Sequence, residues 1–244
     1  MQKVALLTGG SGELGSLLIK YLSEKQIKLI VLDKSPISNP DIKVLVEKRI
    51  IDYNTLDLSD FNQLKTSLDS ILKKYDKIDI VINNAAQRAF DIFNNFTLEE
   101  IIHTINVNLV APLIITKVVI DSMIKQKYGK VINISSRLGF FPHRYGTLYN
   151  STKAALTHFS LSLFHDLRVD YPNITINVIC PDSFRTREGQ KLKYYDYITQ
   201  SILKKIDNII ETKINGKIFY ISKPSIKLID YLKISKNLIR HIYN

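Results

Sequence analysis

The chain has 244 residues, 45% of them apolar and 23% charged, with a formal charge of +11. That length suits a single α/β domain, 1–244, with a substantial core, and the one cysteine, Cys180, excludes an internal disulfide and fits a reducing, cytoplasmic setting. The excess positive charge is mostly lysine scattered among Ile, Asn and Tyr, without zinc-finger spacing or a basic run, so it reads as solvated surface rather than a nucleic-acid site.

Gln2-Lys3 lead directly into an apolar run with no signal-peptide pattern. The longest apolar stretch, Val107 to Ile120, is interrupted by Asn108, Pro112 and Lys117, and no membrane span is expected. No His/Cys/Asp cluster has metal-ligand spacing, so no metal is expected either.

Val4-Ala5-Leu6-Leu7 reads as a buried parallel strand. It runs into Thr8-Gly9-Gly10-Ser11-Gly12-Glu13-Leu14-Gly15, followed by Leu17, Leu18 and Leu22 at helical spacing. A strand, a glycine-rich turn and a helix together bring backbone N–H groups to a pyrophosphate at the positive end of the helix. A second strand, Lys28 to Leu32, ends at Asp33. A carboxylate there accepts from both ribose hydroxyls and repels a 2′-phosphate, which favours NAD over NADP. Lys34 beside it is a base that a phosphate could meet, and a solvated turn residue is the plainer alternative for Asp33.

Pro36 to Pro40 is expected to be a loop, and Ile50 to Tyr53 a third strand. Leu56-Asp57-Leu58-Ser59-Asp60 opens a helix through Lys74, with Ser59 as its cap; Asp57 is suited to face an adenine amino group. Ile78 to Ile82 forms a fourth strand ending in Asn83-Asn84-Ala85-Ala86. A long helix is expected from Leu98 to Gln126, kinked or rebonded at Pro112, which lacks an N–H. After it, Lys130 to Ser136 reads as a buried strand ending in hydroxyls, and Thr152 to Val169 as a helix starting near Tyr149. Ile174 to Ile179 is a sixth strand and Pro181 to Gly189 its exit loop.

Lys191 to Thr212 reads as helical and Lys217 to Ile221 as the last strand. The segment 182–215 is expected to shape the substrate side, and 216–244 to be divergent. A terminal helix, Ile226 to Ile242, has an apolar face that would pack on the sheet or on another subunit; a basic helix lying on a membrane is the alternative. Regular alternation of strands and helices predicts a Rossmann-like, doubly wound parallel sheet covered on both faces.

The residues with the clearest chemistry are Tyr149 and Lys153, one helical turn apart, with Ser136 upstream. A phenol is a poor acid or base at neutral pH until a nearby ammonium stabilises the phenolate. Ser136 is suited to hold a carbonyl oxygen that Tyr149 protonates. Any Tyr-x-x-x-Lys pair alone would be a solvated helix face; the dinucleotide-type turn in the same chain changes its weight.

Taken in order, Thr8-Gly9…Gly15, Asp33, Asp57, Asn83-Asn84-Ala85, Asn108, Ser136, Tyr149/Lys153 and Pro181…Thr186 make residues 3 to 186 resemble the short-chain dehydrogenase/reductase family. The resemblance implies a hydride-transferring oxidoreductase acting on a secondary alcohol or carbonyl. It makes Asn108, Ser136, Tyr149 and Lys153 the catalytic tetrad, with Asn108 holding a relay water and Lys153 also binding the nicotinamide ribose. It assigns cofactor contacts to Thr8, Gly9, Ser11, Gly12, Leu14, Gly15, Asp33, Asp57, Leu58, Asn84, Ala85, Tyr149, Lys153, Pro181 and Thr186. It further implies a homodimer or homotetramer formed through the two long helices.

Three residues depart from the family pattern: Glu13 and Asp182 stand where glycine is usual, and Ala86 replaces a last glycine. The glycine spacing is closer to that of sugar-nucleotide epimerases and dehydratases, which keeps that function as an alternative, although little chain follows residue 186. A dinucleotide-sensing regulator is a second alternative, against which the complete tetrad argues. Five of the eight arginines, Arg88, Arg137, Arg144, Arg185 and Arg187, follow strands four to six, which favours an anionic substrate. Loop ion pairs are the competing reading of those arginines.

Overall fold

A computed structural model describes residues 2–183 and 191–222. Seven parallel strands form one sheet in the order β3-β2-β1-β4-β5-β6-β7. They are β1 Val4–Thr8, β2 Lys28–Asp33, β3 Ile51–Thr55, β4 Ile80–Asn83, β5 Gly129–Ile134, β6 Ile174–Pro181 and β7 Ile218–Ile221. The helices between them are α1 Glu13–Glu24, α2 Pro40–Glu47, α3 Phe61–Tyr75, α4 Leu98–Ile105, α5 Ala111–Gln126, α6 Thr147–Leu167 and α7 Tyr195–Glu211. Strand order reverses direction between β1 and β4, and at such a switch point the carboxyl ends of the strands leave a crevice.

Alternating side chains feed two cores. Ala5, Leu7, Leu29 and Val31 pack with α1 and α7 through Leu18, Ile19, Ile202 and Ile206. Val4, Leu6, Ile30 and Leu32 pack with α3 and α5 through Leu64, Leu68, Ile115 and Val119. The inner strands β1, β2 and β4 are therefore dry on both faces, which explains why they read as nearly continuous apolar runs, whereas edge strand β3 is only partly buried.

Several local expectations are corrected. The segment after Pro36 is not a loop throughout: Asn39 accepts from the Asp41 N–H and Pro40 occupies the first turn of α2, where a missing N–H costs nothing. The cap of α3 is Asp60, which accepts from the Gln63 N–H at 3.0 Å, and not Ser59, whose hydroxyl is turned towards Asp57. Strand β5 ends at Ile134, two residues before Ser136. The helix carrying Tyr149 starts at Thr147 and stops at Leu167. At Pro112 the expected rebonding takes the form of one wide turn, Asn106–Val110, in which the Ala111 N–H donates to the carbonyl five residues back.

The rod Leu98–Gln126 is long and apolar enough to cross a membrane by length and composition alone. Its α5 portion is instead a core helix, with Ala111, Ile115 and Val119 buried against the sheet side. The terminal segment expected to be helical, 226–242, lies outside the described residues.

Candidate active site

The crevice at the carboxyl ends of the strands is a cleft of about 630 Å³ running from Asp33 and Asp57 to Tyr149 and Asp182. Its phosphate end is made from backbone. Gly9 has φ +74, and a Cβ on it would lie 2.8 Å from the Ala85 Cα; a Cβ on Gly15 would lie 1.9 Å from the Gly9 carbonyl oxygen. Only glycine permits both approaches. Gly12 precedes α1 without a side-chain cap, and the positive end of that helix borders the cleft, as a pyrophosphate requires. Ser11 and Leu14 line the same turn, and Glu13 sits partly exposed in its first helical turn.

Two stitches hold this turn. Thr8 Oγ1 accepts from the Asn84 and Ala85 N–H groups, each at 3.0 Å, while Asn84 Nδ2 donates to the Thr8 and Gly9 carbonyls, each at 3.0 Å. Asp33, 5% exposed, accepts from the Ser11 N–H at 2.7 Å and the Ser35 N–H at 2.8 Å. Its carboxylate thus shapes the turn as well as ending β2 at the position suited to a ribose. Further along, Asp57 and buried Leu58 line the wall of the cleft. Burial favours the neutral form of Asp57, but the backbone and side-chain hydrogen bonds from Ser59, helped by the charge of Lys34, outweigh it and hold the carboxyl below its ordinary range.

At the opposite end, Ser136 caps the short turn after β5, accepting from the Leu138 N–H at 3.1 Å, and its hydroxyl meets that of Tyr149. Tyr149 and Lys153 stand one turn apart on α6, as the spacing predicts. Burial pushes the Tyr149 phenol up; the Ser136 hydrogen bond and the charge of Arg88 act in the opposite direction without overcoming it. Lys153, 2% exposed, donates to the Ile134 carbonyl at 2.8 Å, with its Nζ 5.8 Å from the Tyr149 ring centroid. Burial brings its ammonium down to about 8, opposed by the neighbouring Cys180. In this geometry the lowering of the Tyr149 pKa expected from Lys153 is not expressed, because desolvation of the phenol dominates.

Asn108 is fully buried, and its side chain is bound to protein on all sides. Oδ1 accepts from the Gln87 N–H at 2.7 Å, and Nδ2 donates to the Gln87 carbonyl at 3.0 Å and Thr152 Oγ1 at 3.1 Å. This side chain clamps the segment after β4 to α6. Pro181 lines the cleft at the end of β6; Thr186, Arg185 and Arg187 lie outside the described residues.

The remaining arginines divide. Arg137 Nε donates to Asp182 Oδ1 at 2.9 Å, so this residue is engaged in an ion pair with the carboxylate that replaces a usual glycine. Arg144 stacks on Tyr145 with Cζ 4.7 Å from the ring centroid. Arg88 lines the cleft, its Cζ 5.8 Å from the Phe90 ring, and Phe90 in turn packs on Tyr149 at 5.0 Å between centroids.

Sequence reasoning missed Phe90, Ser135 and His103. Ser135 Oγ bonds the Lys153 carbonyl at 2.9 Å and Thr157 Oγ1 at 2.7 Å, which fixes the turn of α6 carrying the lysine. Its place beside Ser136 was the available signal; for Phe90 and His103 none was present. Cys180 behaves as the packed thiol expected, pushed up to about 12 by burial.

A short chain dehydrogenase family model matches residues 3–194. Among curated proteins, a 3-oxoacyl-(acyl-carrier-protein) reductase from Buchnera aphidicola is 30% identical over 80% of this chain and 79% of its own length. An acetoacetyl-CoA reductase from Cupriavidus necator is 26% identical over 87% and 84%. A short-chain dehydrogenase from Streptomyces avermitilis shares the fold with a TM-score of 0.82, at 20% identity over 98% of this chain and 94% of that one. The chain belongs to the short-chain dehydrogenase family of nicotinamide-dependent oxidoreductases.

Proposed function

We propose that the protein is an NAD(H)-preferring reductase of a carbonyl compound with an anionic far end, of the 3-oxoacyl thioester class. The observation that carries this reading is the convergence of Ser136, Tyr149 and Lys153 at one end of a cleft whose other end is closed by Asp33. The bound nicotinamide supplies the hydride. Ser136 and Tyr149 hold the substrate oxygen through their hydroxyls, and Tyr149 delivers the proton as the oxygen gains charge. Lys153 provides the positive charge that favours the phenolate left behind.

Asp33 at the end of β2 supports NAD over NADP, since a second negative group beside a 2′-phosphate is repelled. Arg88 at the cleft supports an anionic substrate, and the similarity to a 3-oxoacyl-(acyl-carrier-protein) reductase and an acetoacetyl-CoA reductase supports a 3-oxoacyl thioester. We also propose a cytoplasmic homo-oligomer formed through α4–α5 and α6, where Leu98 and Ile102 are 73% and 59% exposed.

The test is titration with NADH and with NADPH, read by nicotinamide fluorescence, followed by reduction of acetoacetyl-CoA. Tighter NADH binding together with turnover is the expected result. Preference for NADPH would overturn the role given to Asp33 and leave the reductase standing. Binding of neither would overturn the reductase itself.

A further inference from the structure

The adenine end of the cleft contains a side-chain chain that the tetrad does not use. Ser59 has one hydroxyl proton, and it goes to Asp57 Oδ1 at 2.7 Å; the Ser59 N–H reaches the same oxygen at 2.8 Å. His103 Nδ1 lies 3.1 Å from Ser59 Oγ. An ionised carboxylate only accepts, so the hydroxyl proton is committed to Asp57 and Ser59 Oγ must accept from His103. This proton count fixes the tautomer: neutral His103 carries its proton on Nδ1 and has its lone pair on Nε2. Among the described residues neither Asp57 Oδ2 nor His103 Nε2 has a hydrogen-bond partner. Asp57 and His103 both line the cleft, with apolar Leu58 and Val107 beside them, Val107 one turn after His103 on the same helical rod.

We infer that His103 is a specificity residue for the purine of the cofactor, pairing with Asp57 to present two acceptors to an exocyclic amino group. Two N–H donors on one nitrogen match two acceptors held by a common hydroxyl, while Leu58 and Val107 supply an apolar flank to the ring. A 6-oxo purine offers an acceptor at the same place and leaves both acceptors unmatched, which is the situation that discriminates most strongly. The inference rests on the reading of the cleft as a dinucleotide site.

Equilibrium binding of NADH and of its hypoxanthine analogue, deamino-NADH, followed by fluorescence or calorimetry, tests it without reference to turnover. The wild-type protein is expected to bind NADH at least about tenfold more tightly, the effect of one or two lost hydrogen bonds to a charged or buried partner. His103→Phe keeps the ring and removes both nitrogens, and should reduce that ratio to about threefold, chiefly by weakening NADH. His103→Gln retains an acceptor and should keep most of the ratio. A residue that only supports the fold would change both affinities together. Equal affinities in the wild type, or a ratio unchanged in His103→Phe, would overturn the role of His103 and leave the reductase reading intact. Failure to bind either dinucleotide would remove that reading and this one with it.

Discussion

The two ends of the cleft are built differently. The phosphate end is a closed arrangement of main chain: Gly9 and Gly15 in contacts no side chain fits, and Asp33 satisfied by the N–H groups of Ser11 and Ser35. The substrate end is lined by side chains, Arg88 over Phe90, Tyr149 and Asp182, the last of which accepts from Arg137. A main-chain site accepts one ligand shape and tolerates little substitution. A side-chain site can change its ligand by exchanging residues while the sheet beneath stays the same.

The largest effects should separate chemistry from binding. Tyr149→Phe removes the proton donor and should lower kcat for reduction by about 10²–10⁴-fold, with NADH affinity nearly unchanged. Gly15→Ala should do the reverse at the other end. Its methyl would sit 1.9 Å from the Gly9 carbonyl oxygen, so the turn must move. Roughly 3 kcal/mol of displaced packing corresponds to about a hundredfold loss of NADH affinity in the same fluorescence titration. Similar loss of kcat and of binding in both variants would mean that the two ends are not separable.

Within the substrate end, Arg137 and Arg88 should behave as different kinds of residue. Asp182 is 4% exposed; its Oδ1 accepts from Arg137 Nε and the Ser183 N–H, and among the described residues its Oδ2 has no hydrogen-bond partner, so its charge is compensated chiefly by Arg137. Arg137→Ala should cost about 2 kcal/mol, less than loss of a fully buried pair because the Arg137 side chain is 29% exposed. That is a fall in Tm of about 4–8 °C by thermal unfolding. Arg88→Ala should leave Tm within about 1 °C, as a surface change away from special features does. It should instead raise KM for an anionic substrate roughly tenfold, the worth of one charge-assisted contact.

The smallest expected effect is on pH. Burial lowers the Lys153 pKa to about 8, so the ammonium is present below that value and lost above it. Reduction needs that charge, and a protonated Tyr149, so kcat/KM for reduction should fall as pH rises through about 8. Lys153→Met should show no such limb in its residual rate. A limb that persists in this variant would assign the titration to another group.

Much of this was readable from residue order. Inner strands buried on both faces appear as nearly unbroken apolar runs, and each of the seven strands was found near its place. What escaped was decided by short polar competition. Asn39 and Pro40 together start α2, a signal concealed by the proline pair at Pro36 and Pro40 that also marks a loop. Ser59 and Asp60 are both good caps; Asp60 prevails because the Ser59 hydroxyl is already held by Asp57. Arg137 and Arg88 look alike in the sequence, and nothing in their neighbours distinguishes an ion pair from an open guanidinium.

By itself the sequence determined the sheet, the glycine turn and the positions of Ser136, Tyr149 and Lys153, because each depends on spacing along one strand or helix. Only the tertiary structure decided which side chains meet across elements. His103 reaches Ser59 from forty-four residues away, Asn108 clamps Gln87 to Thr152, and desolvation outweighs nearby charge at Tyr149. Hydrogen-bond partners and solvent exclusion are set by folding the whole chain, and local order carries no record of them.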